Sequence, residues 1–151
     1  MIVCITSERL VCYGRSYESG VGAFGRPFLR GSMPHCVLIV DDNIQLRRVI
    51  RVQVEAVGLE VCGEAVDGLD AIEKARVLKP DLIILDLSMP RMNGLDAARE
   101  IAEICPNIPI LLYTMHADVI RRSSELPTGV TAVVAKTENL MARIMENLAL
   151  V

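Results

Sequence analysis

DLIILDLSMPRMNG, residues 81–94, decides the fold. Its first part, DLIILD (81–86), carries the unbroken apolar run LIIL. A run this short reads as a strand buried on both faces, and such strands lie at the centre of a parallel sheet. It ends on a carboxylate, Asp86. Pro90, Asn93 and Gly94 then mark a loop, and a helical pattern follows over about 95–104. A parallel strand needs a crossover helix on each side, so the same unit is expected to repeat in both directions.

It does. Upstream, CVLIV (36–40) is a second buried strand. Asn43 is placed to cap a helix in which Leu46, Val49, Ile50, Val54 and Val57 face inward and Arg47, Arg48 and Arg51 face outward. Gly58 stops that helix. LEVCGEA (59–65) alternates as an outer strand. Residues 68–78 are helical, with Leu69, Ile72, Ala75, Leu78 or near neighbours inward, and Pro80 ends them. Downstream, IPILLYT (108–114) is a strand, about 117–126 a more polar helix ending by Pro127, and TAVVA (131–135) the fifth strand. The last helix covers about 138–148, with Leu140, Ile144 and Leu148 on one face and Met141 and Met145 flanking it. Five βα units in strict alternation predict an α/β domain, a parallel sheet with helices on both faces and right-handed crossovers.

The chain has 151 residues, 52% hydrophobic and only 3% aromatic, so its core is built from aliphatic side chains. A net charge of −3 counts against direct DNA binding driven by bulk charge. No apolar run reaches membrane-spanning length, and MIVCIT is too short for a signal-peptide core, which points to the cytoplasm. Cys4, Cys12, Cys36, Cys62 and Cys105 show neither a disulfide framework nor zinc spacing and read as free thiols. Residues 1–33 hold five of the ten glycines and no regular period. They are expected to be a disordered extension or a start-site artefact with Met33 as the true start, a basic tail for a partner being the alternative.

In a parallel α/β sheet, ligands sit outside the carboxyl ends of the strands. Those ends carry Asp41 and Asp42, Asp86, Thr114 and, just after the fifth strand, Lys136. Three carboxylates repel one another and call for a divalent cation, and all-oxygen ligation favours Mg2+ or Mn2+. A carboxylate there can attack a phosphoryl group, while a metal, an ammonium and a hydroxyl neutralise its oxygens. Taken singly, each residue has a plainer role as turn, strand or surface residue. Their shared position at the strand ends makes the case.

VLIVDDN (37–43), DLIILDLSMPRMNG (81–94), YTMHA (113–117) and VVAK (133–136) resemble a response-regulator receiver domain of two-component signalling, over roughly residues 34–148. The resemblance implies a flavodoxin-like (βα)5 fold with strand order 2-1-3-4-5 in three α/β/α layers, and residues 34–151 are assigned to it. It implies that Asp86 is the phosphoacceptor. Asp42 binds Mg2+ directly, Asp41 helps through the pocket and its waters, and the Ser88 backbone carbonyl is a further ligand. Thr114 bonds the phosphoryl group, Lys136 pairs with it, and Pro90 and Gly94 shape the following loop. The donor is a sensor histidine kinase or a histidine phosphotransfer protein. The domain phosphorylates and dephosphorylates itself and is not an enzyme in the usual sense.

The chain departs from the family at Val133, where Tyr or Phe often serves as the output switch, and at Thr137, where proline is usual. Ser88 and His116 occupy the positions that tune hydrolysis. Tyr113 reads as a core strand residue, a substitute sensor being the alternative. Val119, Arg122, Val133 and Met141 are candidate surface residues for the response. Fifteen residues follow Lys136, enough for one helix, so output is expected to pass to an unknown protein target. A phosphorelay carrier is the alternative. An aspartate-nucleophile phosphatase and a non-phosphorylated interaction module are the readings from other classes.

Overall fold

A computed structural model describes residues 35–122 and 126–149. The expected extension over residues 1–33 lies outside the described residues, as do 123–125, within the helix expected over about 117–126. The elements are β1 (Cys36–Val40), α1 (Ile44–Ala56), β2 (Glu60–Ala65), α2 (Gly68–Leu78), β3 (Leu82–Leu85), α3 (Gly94–Ile104), β4 (Ile110–Thr114), α4 (Ala117–Arg122), β5 (Val130–Ala135) and α5 (Leu140–Ala149). The strands form one sheet in the order β2-β1-β3-β4-β5, and each pair is parallel. The fold is flavodoxin-like, as expected.

All four residues of β3 are buried, as the apolar run requires of a central strand. Alternate residues of the sheet feed two cores. Leu38, Val40, Ile83, Leu85, Ile110 and Leu112 pack against α2, α3 and α4 through Ala75, Ile101 and Ile120 among others. Val37, Ile39, Leu82, Ile84, Leu111 and Tyr113 pack against α1 and α5 through Ile50, Val54, Leu140 and Ile144 among others. Each fully buried Leu or Ile contributes about 1.5–3 kcal/mol of apolar burial. The caps follow the sequence. The Asn43 side chain accepts from the backbone N–H groups of Gln45 and Leu46, and Gly58 takes a left-handed φ of +84° just beyond α1.

Four expectations fail in informative ways. Val49 and Val57 are exposed, whereas Arg47, expected outside, is buried on α1. Leu69 and Leu78 are exposed too, and α2 turns Gly68, Ala71 and Ala75 inward instead, because α2 packs closely on α3. Val133 is buried in the core on the α2–α4 side rather than at the surface. Finally, Cys36 and Cys62 are joined by a disulfide, with Cα atoms 5.5 Å apart. Chain spacing could not reveal that pair, since it depends on the parallel pairing of β1 with β2.

The β1–β2 pairing also slips by one residue between Val37 and Leu38. Leu59 and Val61 pack on the α1–α5 side, yet Ala65 lies in the opposite core. Residues 61 and 65 would share a face in an unbroken strand. The bulge at Cys62 reverses the phase, and so turns Glu64 toward α1.

Candidate functional site

β1 and β3 are hydrogen-bonded neighbours, and their ends bring two acidic segments together. The Asp86 backbone N–H donates to the Val40 carbonyl at 2.9 Å, so the central strand delivers its carboxylate beside the Asp41–Asp42 pair. Oxygens of Asp41, Asp42 and Asp86 lie within 4.8 Å of one another, the one such acidic group among the described residues. Asp41 and Asp86 are buried and Asp42 is exposed, which leaves the cluster open on one side. Lys136 reaches across from the end of β5. Its Nζ lies 2.8 Å from Asp41 Oδ2 and 3.1 Å from Asp86 Oδ1. Asp41 Oδ1 also accepts the Asn43 backbone N–H at 2.8 Å, so both oxygens of Asp41 are held.

The charges do not balance. Three carboxylates face one ammonium. Burial pushes the Asp86 carboxyl above its ordinary pKa; Lys136 works against this and Asp41 adds to it. Burial works to lower the Lys136 pKa, but Asp41 and Asp86 outweigh it and hold the ammonium above its ordinary value. An excess of anionic oxygens beside an open face suits a hard divalent cation such as Mg2+, and no soft ligand is present to favour zinc or copper.

The remaining predicted residues lie on the same rim. Thr114 ends β4, is buried, and its Oγ1 accepts the His116 backbone N–H at 3.2 Å. The Lys136 backbone N–H donates to the Thr114 carbonyl at 3.0 Å, tying β4 to the turn after β5. Ser88 is exposed, two residues beyond Asp86. Tyr113 is buried and its hydroxyl donates to the Lys136 carbonyl at 3.3 Å. Over Val133, which lacks an aromatic ring, Arg121 of α4 donates to the Val133 carbonyl at 2.7 Å and pairs with Glu138 at 2.7 Å. Val119 is exposed and Met141 packs against the α1–α5 core.

Sequence reasoning missed one carboxylate at this rim. Asp67, 2% exposed, caps α2 by accepting the Asp70 backbone N–H at 3.0 Å, and it accepts from Arg91 Nε at 2.8 Å. Arg91 sits in the loop after Asp86 with φ +63°. The cap was readable from an Asp just before Gly68 and a helical pattern; the loop contact was not. The Asp70 N–H first, and then Arg91 against the cost of burial, hold the Asp67 carboxyl below its ordinary pKa. A depressed pKa stabilises the fold above the unfolded value and loses that effect as pH falls through the folded one. Asp67→Ala is therefore expected to cost about 1–2 kcal/mol in urea denaturation at neutral pH. The gap between wild type and variant should narrow below about pH 4.

Residues 37–148 match the response regulator receiver domain family. The chemotaxis protein CheY of Thermotoga maritima is 46% identical over 76 residues, 50% of this chain and 63% of that protein. The transcriptional regulatory protein PdtaR of Mycobacterium tuberculosis is 33% identical over 129 residues, 79% of this chain and 62% of that protein. The chain thus spans less than two thirds of either curated relative. Among solved structures, a LuxR-family two-component response regulator from Aurantimonas sp. SI85-9A1 superposes with a TM-score of 0.70 at 28% identity, covering 78% of this chain and 86% of that one.

Proposed function

Because the chain belongs to the response regulator receiver domain family, we propose that Asp86 accepts a phosphoryl group from the phosphohistidine of a sensor histidine kinase or a histidine phosphotransfer protein. The observation that carries this reading is Lys136 Nζ, set between Asp41 and Asp86 beside a cluster of carboxylates with too few cations. A carboxylate oxygen of Asp86 forms a bond to phosphorus as the bond from phosphorus to the donor's imidazole nitrogen breaks, and the imidazole leaves with the electron pair and takes up a proton. Asp41, Asp42 and Asp86, with the Ser88 carbonyl, would hold Mg2+ or Mn2+, which would supply charge neutralisation for the phosphoryl oxygens. Lys136 is already in contact with Asp86 and neutralises a second oxygen, and the Thr114 hydroxyl, whose oxygen accepts the His116 N–H, donates its own proton to a third.

The protein is modified in this reaction and does not turn over a substrate, so its output is a changed surface. The shift of Thr114 reaches α4 through His116, and the Arg121 bridge to Val133 and Glu138 links α4 to β5 and to the turn before α5. A protein target, and not DNA, reads that change. The reading places the protein in the cytoplasm. No helix among the described residues is long and apolar enough to cross a membrane.

The test is incubation with a small acyl phosphate, followed by intact mass measurement. One phosphoryl group per chain is expected with Mg2+ and none in EDTA. A chain that stays unmodified in Mg2+ defeats the reading.

A further inference from the structure

Arg47 has the surroundings of a residue with a task. It is 8% exposed, although it sits on the first turns of a helix whose neighbouring Arg48 and Val49 face solvent. Its guanidinium turns back to the end of β1. Nη1 donates to the Asp41 carbonyl at 2.8 Å and lies 3.4 Å from the Asp42 carbonyl. Nε donates to Glu64 Oε2 at 2.9 Å. Glu64 comes from β2, turned toward α1 by the bulge at Cys62. Its other oxygen accepts from Arg51 at 2.7 Å, so the carboxylate that aims Arg47 is itself held by two cations.

We infer that Arg47 is a positioning residue for the divalent-cation site, fixing the backbone of Asp41 and Asp42 so that both carboxylates face the pocket before the cation arrives. This inference rests on the phosphoacceptor reading above.

Three observations support it. The Asp41 side chain is already tied on both oxygens by Asn43 and Lys136, so the Arg47 bond to its carbonyl fixes the remaining polar group. Asp42 has no comparable hold: its side chain is exposed, and the nearby Arg47 Nη1 lies at its carbonyl. The arrangement also needs a planar fork. One edge of the guanidinium meets Glu64 while another meets the carbonyls, a geometry a lysine ammonium does not reproduce. Partners that orient ligands without touching the metal typically change its affinity by about 10–100-fold.

The sign of the effect separates positioning from charge. A cation near the pocket repels Mg2+, so a purely electrostatic Arg47 would weaken binding, and its removal would tighten it. Positioning predicts the reverse. The experiment is calorimetric titration of the full chain with Mg2+ alone, well below the melting temperature. The proteins are wild type, Arg47→Met, Arg47→Lys, Glu64→Gln and Arg51→Ala, with thermal melts run alongside. Arg47→Met is expected to weaken Mg2+ binding by about 10-fold or more. Arg47→Lys keeps the charge and recovers only part of the affinity. Glu64→Gln weakens binding less than Arg47→Met. Arg51→Ala removes a Glu64 partner that touches no pocket carbonyl and leaves the Glu64 bond to Arg47, so it lowers the melting temperature but weakens Mg2+ binding less than Glu64→Gln does.

Unchanged or tighter binding by a folded Arg47→Met protein overturns the inference. So does an equal loss in Arg51→Ala, which would mark the whole ion-pair network as merely structural. If wild type itself binds no Mg2+, the phosphoacceptor reading falls, and that result is distinct from a failure confined to Arg47.

Discussion

Asp86→Asn protein takes up no phosphoryl group from an acyl phosphate in Mg2+, and without metal it melts above wild type. The first half follows from chemistry. An amide lacks the anionic oxygen that attacks phosphorus, and no other carboxylate of the cluster is both buried and delivered by the central strand. The second half follows from electrostatics. Asp86 is 5% exposed, and burial raises its pKa despite the contact with Lys136. A carboxyl whose folded pKa is raised favours the fold in its protonated form. That advantage is lost as pH rises through the folded pKa, so at neutral pH the ionised group costs stability. Asparagine removes that charge and leaves Lys136 its bond to Asp41. The gain is on the order of 1 kcal/mol, or about 3–6 °C in Tm. It should shrink on acidification, as Asp86 takes up a proton in the wild type. Intact mass reports the phosphoryl group and thermal melts at stepped pH report the charge. Labelling of the variant at the wild-type level would move the acceptor to another residue.

The sequence carried the order of elements because each apolar run is short, is followed by a helical period, and is punctuated by Pro80, Pro106, Pro109 or a glycine. It carried Asp41, Asp42, Asp86, Thr114 and Lys136 as one group because parallel strands bring their carboxyl ends to one edge. What it hid depends on register and on which side of a helix faces in. Arg47 looked solvated because Val49 and Val57 suggested a wider apolar stripe than α1 buries. The bulge at Cys62 leaves no mark in the pattern EVCGEA, yet it decides that Glu64 meets Arg47. The Cys36–Cys62 pair and the Arg91–Asp67 contact join segments whose proximity is set only once the sheet is assembled. Val133 read as a surface position because the comparison residue is an aromatic switch. A small β-branched side chain sinks into the core instead, and Arg121 lies at its carbonyl.

Gly94→Ala is expected to cause the largest loss of stability of any variant considered. A Cβ at position 94 would stand 2.1 Å from the Asp86 carbonyl oxygen, 2.9 Å from Leu87 Cα and 3.0 Å from the Asp86 carbonyl carbon. All three are backbone atoms at the end of the central strand, so no flexible side chain can yield. The first turn of α3 is also fixed from the other side: the Gly94 N–H donates to the Leu87 carbonyl at 2.9 Å, and Asn93 caps the helix by accepting from Asp96 at 3.0 Å. A methyl group must therefore either push α3 off the sheet or displace the backbone that presents Asp86. The cost is about 3 kcal/mol or more, a large share of the ~5–15 kcal/mol that holds a domain of this size. Gly58→Ala is the control. Gly58 has φ +84° but nothing within 4 Å of a built Cβ, so only the left-handed backbone opposes alanine, at about 1 kcal/mol. Urea midpoints should separate the two glycines. Acyl phosphate labelling should separate them further, falling in Gly94→Ala under conditions where that protein is still folded and staying at the wild-type level in Gly58→Ala. Equal labelling in both would mean that the backbone at Asp86 has room to move without harm to the chemistry, and that Gly94 serves packing alone.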